Sequence, residues 1–187
     1  MPSFFLALIA AAAATLGGRE AVRVARLSAS LGAGAALLLA CWTAAAIGCA
    51  LSAWLGSEIA GQLAPEGKTM LVGIALLLAG LELMIRAPGR APAEPTRSFG
   101  AILLVLAAAQ LTSAAGFLVF ALAGATAAPG LAAAGGAAGS GAVLTAAWTA
   151  GGDWEKRLPL NALRYATAAL LLAAALVVGL SARGLLG

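Results

Sequence analysis

The 187-residue sequence has no histidine, one tyrosine, seven carboxylates and only two cysteines, Cys41 and Cys49, both inside one apolar run. Without histidine, and with the cysteines eight residues apart on what reads as a single helix, neither a His/Cys metal centre nor a disulfide framework can be assembled. The two thiols read as small apolar residues. Charge is scarce as well: 10% of residues are charged, 63% are hydrophobic, and the mean hydropathy is +1.02. Soluble domains carry roughly a quarter charged residues, so a water-soluble globule is excluded. With no histidine and few acids inside apolar runs, no nucleophile and base constellation is available, so neither an enzyme nor a cofactor is expected.

What is present is a succession of long apolar runs. Six can be marked, at about 3–20, 33–55, 68–86, 98–123, 129–151 and 159–182. A bilayer-spanning helix needs about 20 apolar residues, so the chain reads as an all-α integral membrane protein of six transmembrane helices. The first run lacks the basic leader of a signal peptide and is kept as a span. The stretch Ala87-Pro88-Gly89-Arg90-Ala91-Pro92-Ala93-Glu94-Pro95 is the only linker-like segment, because its prolines remove helix donors. It divides the chain into a first three-helix repeat (1–87), a linker (88–97) and a second three-helix repeat (98–187).

A shift of 95 residues places Ser3-Phe4 on Ser98-Phe99, Leu16 on Leu111, Gly56-Ser57-Glu58 on Gly151-Gly152-Asp153, and Leu76-Leu77 on Leu171-Leu172. Such identities are cheap in an Ala/Leu-rich chain, but the order of segments and an acidic turn after the second span recur with them. Three spans per half make the second half enter from the opposite side, a 3+3 inverted repeat of the kind found in secondary transporters.

Basic residues fall in the first, third and fifth connectors: Arg19, Arg23 and Arg26; Arg86, Arg90 and Arg97; Lys156 and Arg157, with Arg164 close behind. The positive-inside rule then puts these connectors and the linker in the cytoplasm and both termini outside. Used in this way, the net charge of +4 gives no reason to expect nucleic acid. The expected partners are membrane lipid and a homo- or hetero-oligomeric neighbour. The Ala/Arg-heavy style points to a bacterial inner membrane.

The first span is short. From Phe4 to Gly18 a helix covers about 22 Å, against a hydrocarbon core of about 30 Å. Either Arg19 and Glu20 lie within the membrane's depth, where ionisable groups mark a path or a pair, or Arg19 snorkels to the interface. Arg19, Arg23 and Arg26 share one face of a continuing helix, as suits a basic surface extension. Glu82 and Arg86 read as a local helix pair. Trp42, Trp54, Trp148 and Trp154 mostly sit near span ends, where they would anchor the interface. Gln110, Thr112 and Ser113 form the one polar cluster of the fourth span, and the shift pairs them with Thr15, Gly17 and Gly18. Two such notches are where an inverted-repeat transporter would hold its substrate, although interhelical hydrogen bonding alone would also account for them.

Two halves of three spans, each opening on a helix that carries E-x-G-D-[KR]-[ST], characterise the Gdt-one family of small cation/proton exchangers. Thr15-Leu16-Gly17-Gly18-Arg19-Glu20 resembles the first copy of that motif, and Val24-Ala25-Arg26-Leu27-Ser28-Ala29 resembles its continuation. The second copy is Gln110-Leu111-Thr112-Ser113-Ala114-Ala115, and Arg157-Leu158-Pro159 resembles the entrance to the last family helix. The resemblance implies antiport of a divalent cation, manganese or calcium, against protons. It also implies a transport path through Thr15, Gly18, Arg19, Glu20, Gln110 and Ser113. Four of these six positions carry acids in the family, and here they hold Thr15, Gly18, Gln110 and Ser113, so the ion site reads as eroded and no residue is assigned as a metal ligand. Glu20 lies about 200° round an unbroken helix from position 18, so it points away from the notch unless the helix breaks at Gly17-Gly18. The alternatives are a non-transporting membrane partner and an exporter of another small solute.

Overall fold

The computed structural model describes residues 2–86 and 98–184; the linker expected at 88–97 lies outside them. The described residues are about 90% helical, with no strand among them. In chain order the helices are α1 (Pro2–Leu16), α2 (Arg19–Leu31), α3 (Ala35–Gly61), α4 (Pro65–Ile85), α5 (Phe99–Leu111), α6 (Ala114–Thr126) and α7 (Pro129–Ala150). A 3-10 turn at Gly151–Asp153 follows, then the short α8 (Trp154–Arg157) and α9 (Leu160–Ala182).

Four stretches, Ala35–Gly61, Pro65–Ile85, Pro129–Arg157 and Leu160–Ala182, are long and apolar enough to cross a membrane. Two pairs qualify only when taken together, α1 with α2 and α5 with α6, and they bend by 61° and 55°. The runs 3–20 and 98–123 are therefore not straight spans. The first breaks because Gly17-Gly18 offers no side chain to hold the helix, and Gly18 takes an extended conformation (ψ 157°). The second breaks because Ser113, also extended, caps a new helix by accepting from the Gly116 N–H at 3.1 Å. What reads as the first connector, 19–31, is thus the helix α2.

The boundaries recur at the 95-residue shift. α1 ends at Leu16 and α5 at Leu111; α2 and α6 start at Arg19 and Ala114 and end at Leu31 and Thr126; α4 starts at Pro65 and α9 at Leu160. Where the shift fails, packing gives the reason. Gly151 turns with φ +50° and ends α7, whereas its counterpart Gly56 stays inside α3, its bare Cα pressed against the Phe120 backbone. The acidic turn expected after the second span is a turn only in the second half.

α3 and α7 cross at the centre, with α1 and α2 along α7 and α5 and α6 along α3. Small residues make this contact possible: Gly135 and Gly139 let the α1 backbone approach at Phe4 and Leu8, so α1 runs parallel to α7. One end of the bundle gathers Ser28, Gly34, Trp148 and Gly151, with Ser28 Oγ donating to the Trp148 carbonyl and Trp148 Nε1 to that of Gly34. The other end gathers Gly56 and Ala60 with Phe120 and Gly124. Outside this core, Ile9, Leu104, Leu170 and Leu176 stand exposed. An apolar exterior of that extent suits lipid and would not suit water.

Candidate functional site

Both breaks fall at the two polar notches, and α7 joins them. Thr15, in the last turn of α1, donates from Oγ1 to Ser140 Oγ at 3.2 Å. Gln110, in the last turn of α5, donates from Nε2 to the same oxygen at 3.2 Å and to Cys49 Sγ at 3.9 Å. Ser113 donates to the Gln110 carbonyl at 2.7 Å while capping α6. All of these side chains are buried. The structure therefore brings Thr15, Gln110 and Ser113 together, and most of their donors and acceptors are spent on one another.

The charged part of the site lies beside this knot. Arg19 opens α2, and the break swings it onto the start of the other bent pair: its Nη2 donates to Thr112 Oγ1 at 2.8 Å and to the Thr112 carbonyl at 3.3 Å. Its Nε meets two carboxylates, Glu20 at 3.4 Å and Glu82 at 3.1 Å. Glu20 is 3% exposed and Glu82 7%. Glu82 Oε2 also accepts from the Ala114 N–H at 3.3 Å, at the positive end of α6. Its Oε1 faces Arg19 without an aligned hydrogen bond.

Glu20 does not point away. The break redirects it, so that a Cβ built on Gly18 would lie 2.5 Å from Glu20 Oε2. Its carboxylate thus occupies the space in which a side chain at position 18 would begin. Gly17 is needed for a different contact: the Arg164 backbone of α9 lies 3.0 Å from where its Cβ would be.

Glu82 belongs to this cluster rather than to a local pair with Arg86. Sequence spacing along one helix favours the four-residue partner, but burial at the end of α4 gives Glu82 its short contacts with Arg19 and the α6 amide, and Arg86 acts on it only at longer range. Arg19 is 16% exposed at its side chain and reaches across to Thr112. Arg26, on the same helix, pairs with Glu155 of α8 at 2.7 Å. Arg164, taken above as a topology marker, is buried at 6% exposure and donates to the Tyr165 hydroxyl at 3.2 Å. Of the tryptophans, Trp54 is exposed and Trp154 is buried in the core. Sequence reasoning missed Ser140, Cys49 and Glu82 as site residues. The available signal was rarity: Glu82 is the only acid inside its apolar run, and Ser140 is the first hydroxyl of α7 and stands mid-helix.

Among the described residues no group of three or more His, Cys, Asp or Glu is placed to hold a metal ion. What the site offers is two carboxylates sharing one guanidinium, with hydroxyl and amide oxygens behind them. Comparison with family models, with curated proteins and with solved structures finds no match.

Proposed function

We propose that this protein is a membrane carrier that exchanges a small cation for protons, with Glu20 and Glu82 as the exchanging carboxylates. The observation that carries this reading is the position of Glu20 at the helix break. The acid that the Gdt-one resemblance expects at position 18 is absent, and a carboxylate from two residues further on fills its place. Glu82 brings a second carboxylate to the start of α6, next to position 113. Buried acids beside interrupted helices are the usual equipment of ion-coupled carriers, because broken helices free backbone groups and dipole ends at mid-depth. Manganese and calcium are the first substrates to test, since hard cations take oxygen ligands.

Arg19 sets the chemistry. While its guanidinium bridges the two carboxylates, it serves as an internal cation. A substrate ion takes its place and leaves Arg19 on Thr112, whereas protons arriving on the carboxylates discharge the site and release the ion. The six-span 3+3 inverted arrangement belongs to the same proposal. It is supported by α1 starting at the end of the bundle opposite to the one where α3 starts, and by the recurrence of helix boundaries at the shift of 95. The proposal also has both termini outside, on the arginine distribution, and a bacterial inner membrane, on the Ala/Arg-heavy style.

One observation favours a second reading. Arg19 already neutralises part of the site, as it would in a non-transporting partner subunit whose charges only hold the fold.

Flux of manganese and calcium into liposomes against a proton gradient decides between the two. Wild type is expected to carry one of these ions, Glu20→Gln to lose at least tenfold, and Gly18→Asp combined with Glu20→Gln to regain most of it by returning the acid to the motif position. Flux that survives Glu20→Gln unchanged removes Glu20 from the mechanism. No flux of either ion in wild type overturns the cation-carrier reading.

A further inference from the structure

α2 rests along α7 and α9 along α4, and the two scarcely meet each other. Where α9 begins they leave a cavity of about 550 Å³ between them, lined by Val22 and Arg26 of α2, Glu155 of α8, Leu158, and Asn161 and Ala162 in the first turn of α9. Asn161 and Ala162 are exposed, so the cavity is open to the surroundings of the bundle.

The residues around it fix its level. α9 is long and apolar enough to cross a membrane and starts at Leu160, so its first turn lies at a membrane face. Lys156 and Arg157, just before it, are largely exposed, as suits water or headgroups. Leu170, ten residues into the helix, is exposed as well, as suits acyl chains. Tyr165 stands half exposed between them, where an amphipathic ring belongs. The cavity therefore opens where lipid headgroups meet their chains.

Its charge selects among headgroups. Pockets that hold anionic headgroups are basic, whereas this one carries one charge of each sign: Arg26 Nε and Nη2 donate to the two Glu155 oxygens at 2.7 and 2.8 Å. Lys156 and Arg157 stand apart from the lining and face Asp153, at 3.9 and 2.8 Å. A phosphate alone would meet Glu155 as well as Arg26. A headgroup with both a phosphate and an amine has a complement for each. Of the amines, a primary ammonium brings three N–H donors to a carboxylate, as lysine does, and a trimethylammonium brings none.

We propose that the α2–α9 cavity binds one aminophospholipid of the bilayer, with its phosphate on Arg26 and Asn161 and its primary ammonium on Glu155. Val22 and Leu158 take the glycerol and the first chain carbons. The Arg26–Glu155 pair is partly exposed on both sides, and such pairs open at little cost, so the headgroup can insert beside them. The lipid supplies the support that α2 does not receive from α9, and α2 is the helix that begins with Arg19 and Glu20. The inference concerns binding alone and holds whether or not the protein carries an ion.

Delipidated protein in detergent is titrated with phosphatidylethanolamine, phosphatidylcholine and phosphatidylglycerol of identical chains, and the bound lipid is read by native mass spectrometry. Phosphatidylethanolamine is expected to bind at least tenfold more tightly than either of the others. Glu155→Gln is expected to bring it down to the level of phosphatidylcholine and to leave phosphatidylcholine unchanged. Ala162→Trp fills the cavity from an exposed position without touching the ion pair, and is expected to abolish the preference. Both variants are expected to keep the wild-type unfolding midpoint in the absence of lipid; if one unfolds early, the other decides. Phosphatidylglycerol binding as tightly as phosphatidylethanolamine would reveal a basic surface and overturn the proposal. So would equal binding of the ethanolamine and choline lipids, and a preference that survives in a folded variant would place the lipid elsewhere and overturn the cavity site.

Discussion

Ser140 is the residue on which the two halves close. Its oxygen accepts from both Thr15 and Gln110, and the residue that corresponds to it in the first half is Ala45, which has no oxygen to offer. One hydroxyl therefore serves both breaks. Ser140→Ala leaves two buried donors unsatisfied, at a cost of about 1–3 kcal/mol. The variant is expected to unfold several degrees below wild type in detergent, while Ser57→Ala, at a partly exposed site with only a local bond to the Trp54 carbonyl, leaves the midpoint unchanged. A midpoint that does not move in Ser140→Ala would mean that Gln110 and Thr15 find other partners. Individual residues were also where the sequence was hardest to read. Thr15, Gln110 and Ser113 could be picked out because a polar residue in an apolar run is conspicuous. Glu20 could not be placed, because its direction depends on a bend whose angle no periodicity encodes. Glu82 was misassigned because its partner lies 63 residues away in the chain and only tertiary packing brings it there.

At the scale of elements, the architecture follows from where side chains are missing. Gly135 and Gly139 present bare backbone to α1, Gly56 and Gly124 do so between α3 and α6, and the helices come as close as their main chains allow. Contact at that distance is van der Waals attraction gathered along the whole length of the helices, which in lipid replaces the hydrophobic drive available in water. Gly135→Val pushes its side chain into the Phe4 carbonyl, with an expected loss of about 3 kcal/mol from overpacking. Gly130→Ala, one turn earlier and facing open space, is expected to be neutral. Comparing the two by thermal unfolding separates close approach from helix propensity, and equal effects would sink the packing account. The four long helices and the acid-poor, glycine-rich style were legible from hydropathy alone. The breaks were half legible. Gly17-Gly18 announces one, but Thr112-Ser113 does so only in retrospect, since Ser and Thr are tolerated in membrane helices and Ser113 breaks this one by capping the next.

For the whole molecule, the arginine distribution and the gathering of loops at two ends make a joint prediction. A cysteine at Gly130 is expected to react with a membrane-impermeant reagent from outside intact cells, and one at Ser30 only after the membrane is opened. Reaction of both from the same side would end the six-span arrangement and with it the inverted repeat. The two halves also interlock: α1 rests on α7, and α5 on α3, so neither half has a core of its own.

The ion cluster is distributed quite differently. Arg19, Glu20 and Glu82 all belong to the first 86 residues, and the second half adds a backbone amide and a threonine to them. α4, however, packs chiefly on α6 and α9, so during synthesis Glu82 would reach Arg19 only once the second half has been made. The last helix, which brings the buried Arg164 against Gly17, therefore completes the ion cluster as well as the bundle. Pairing of charges that lie within the first 86 residues would thus wait on the docking of α9 against α4.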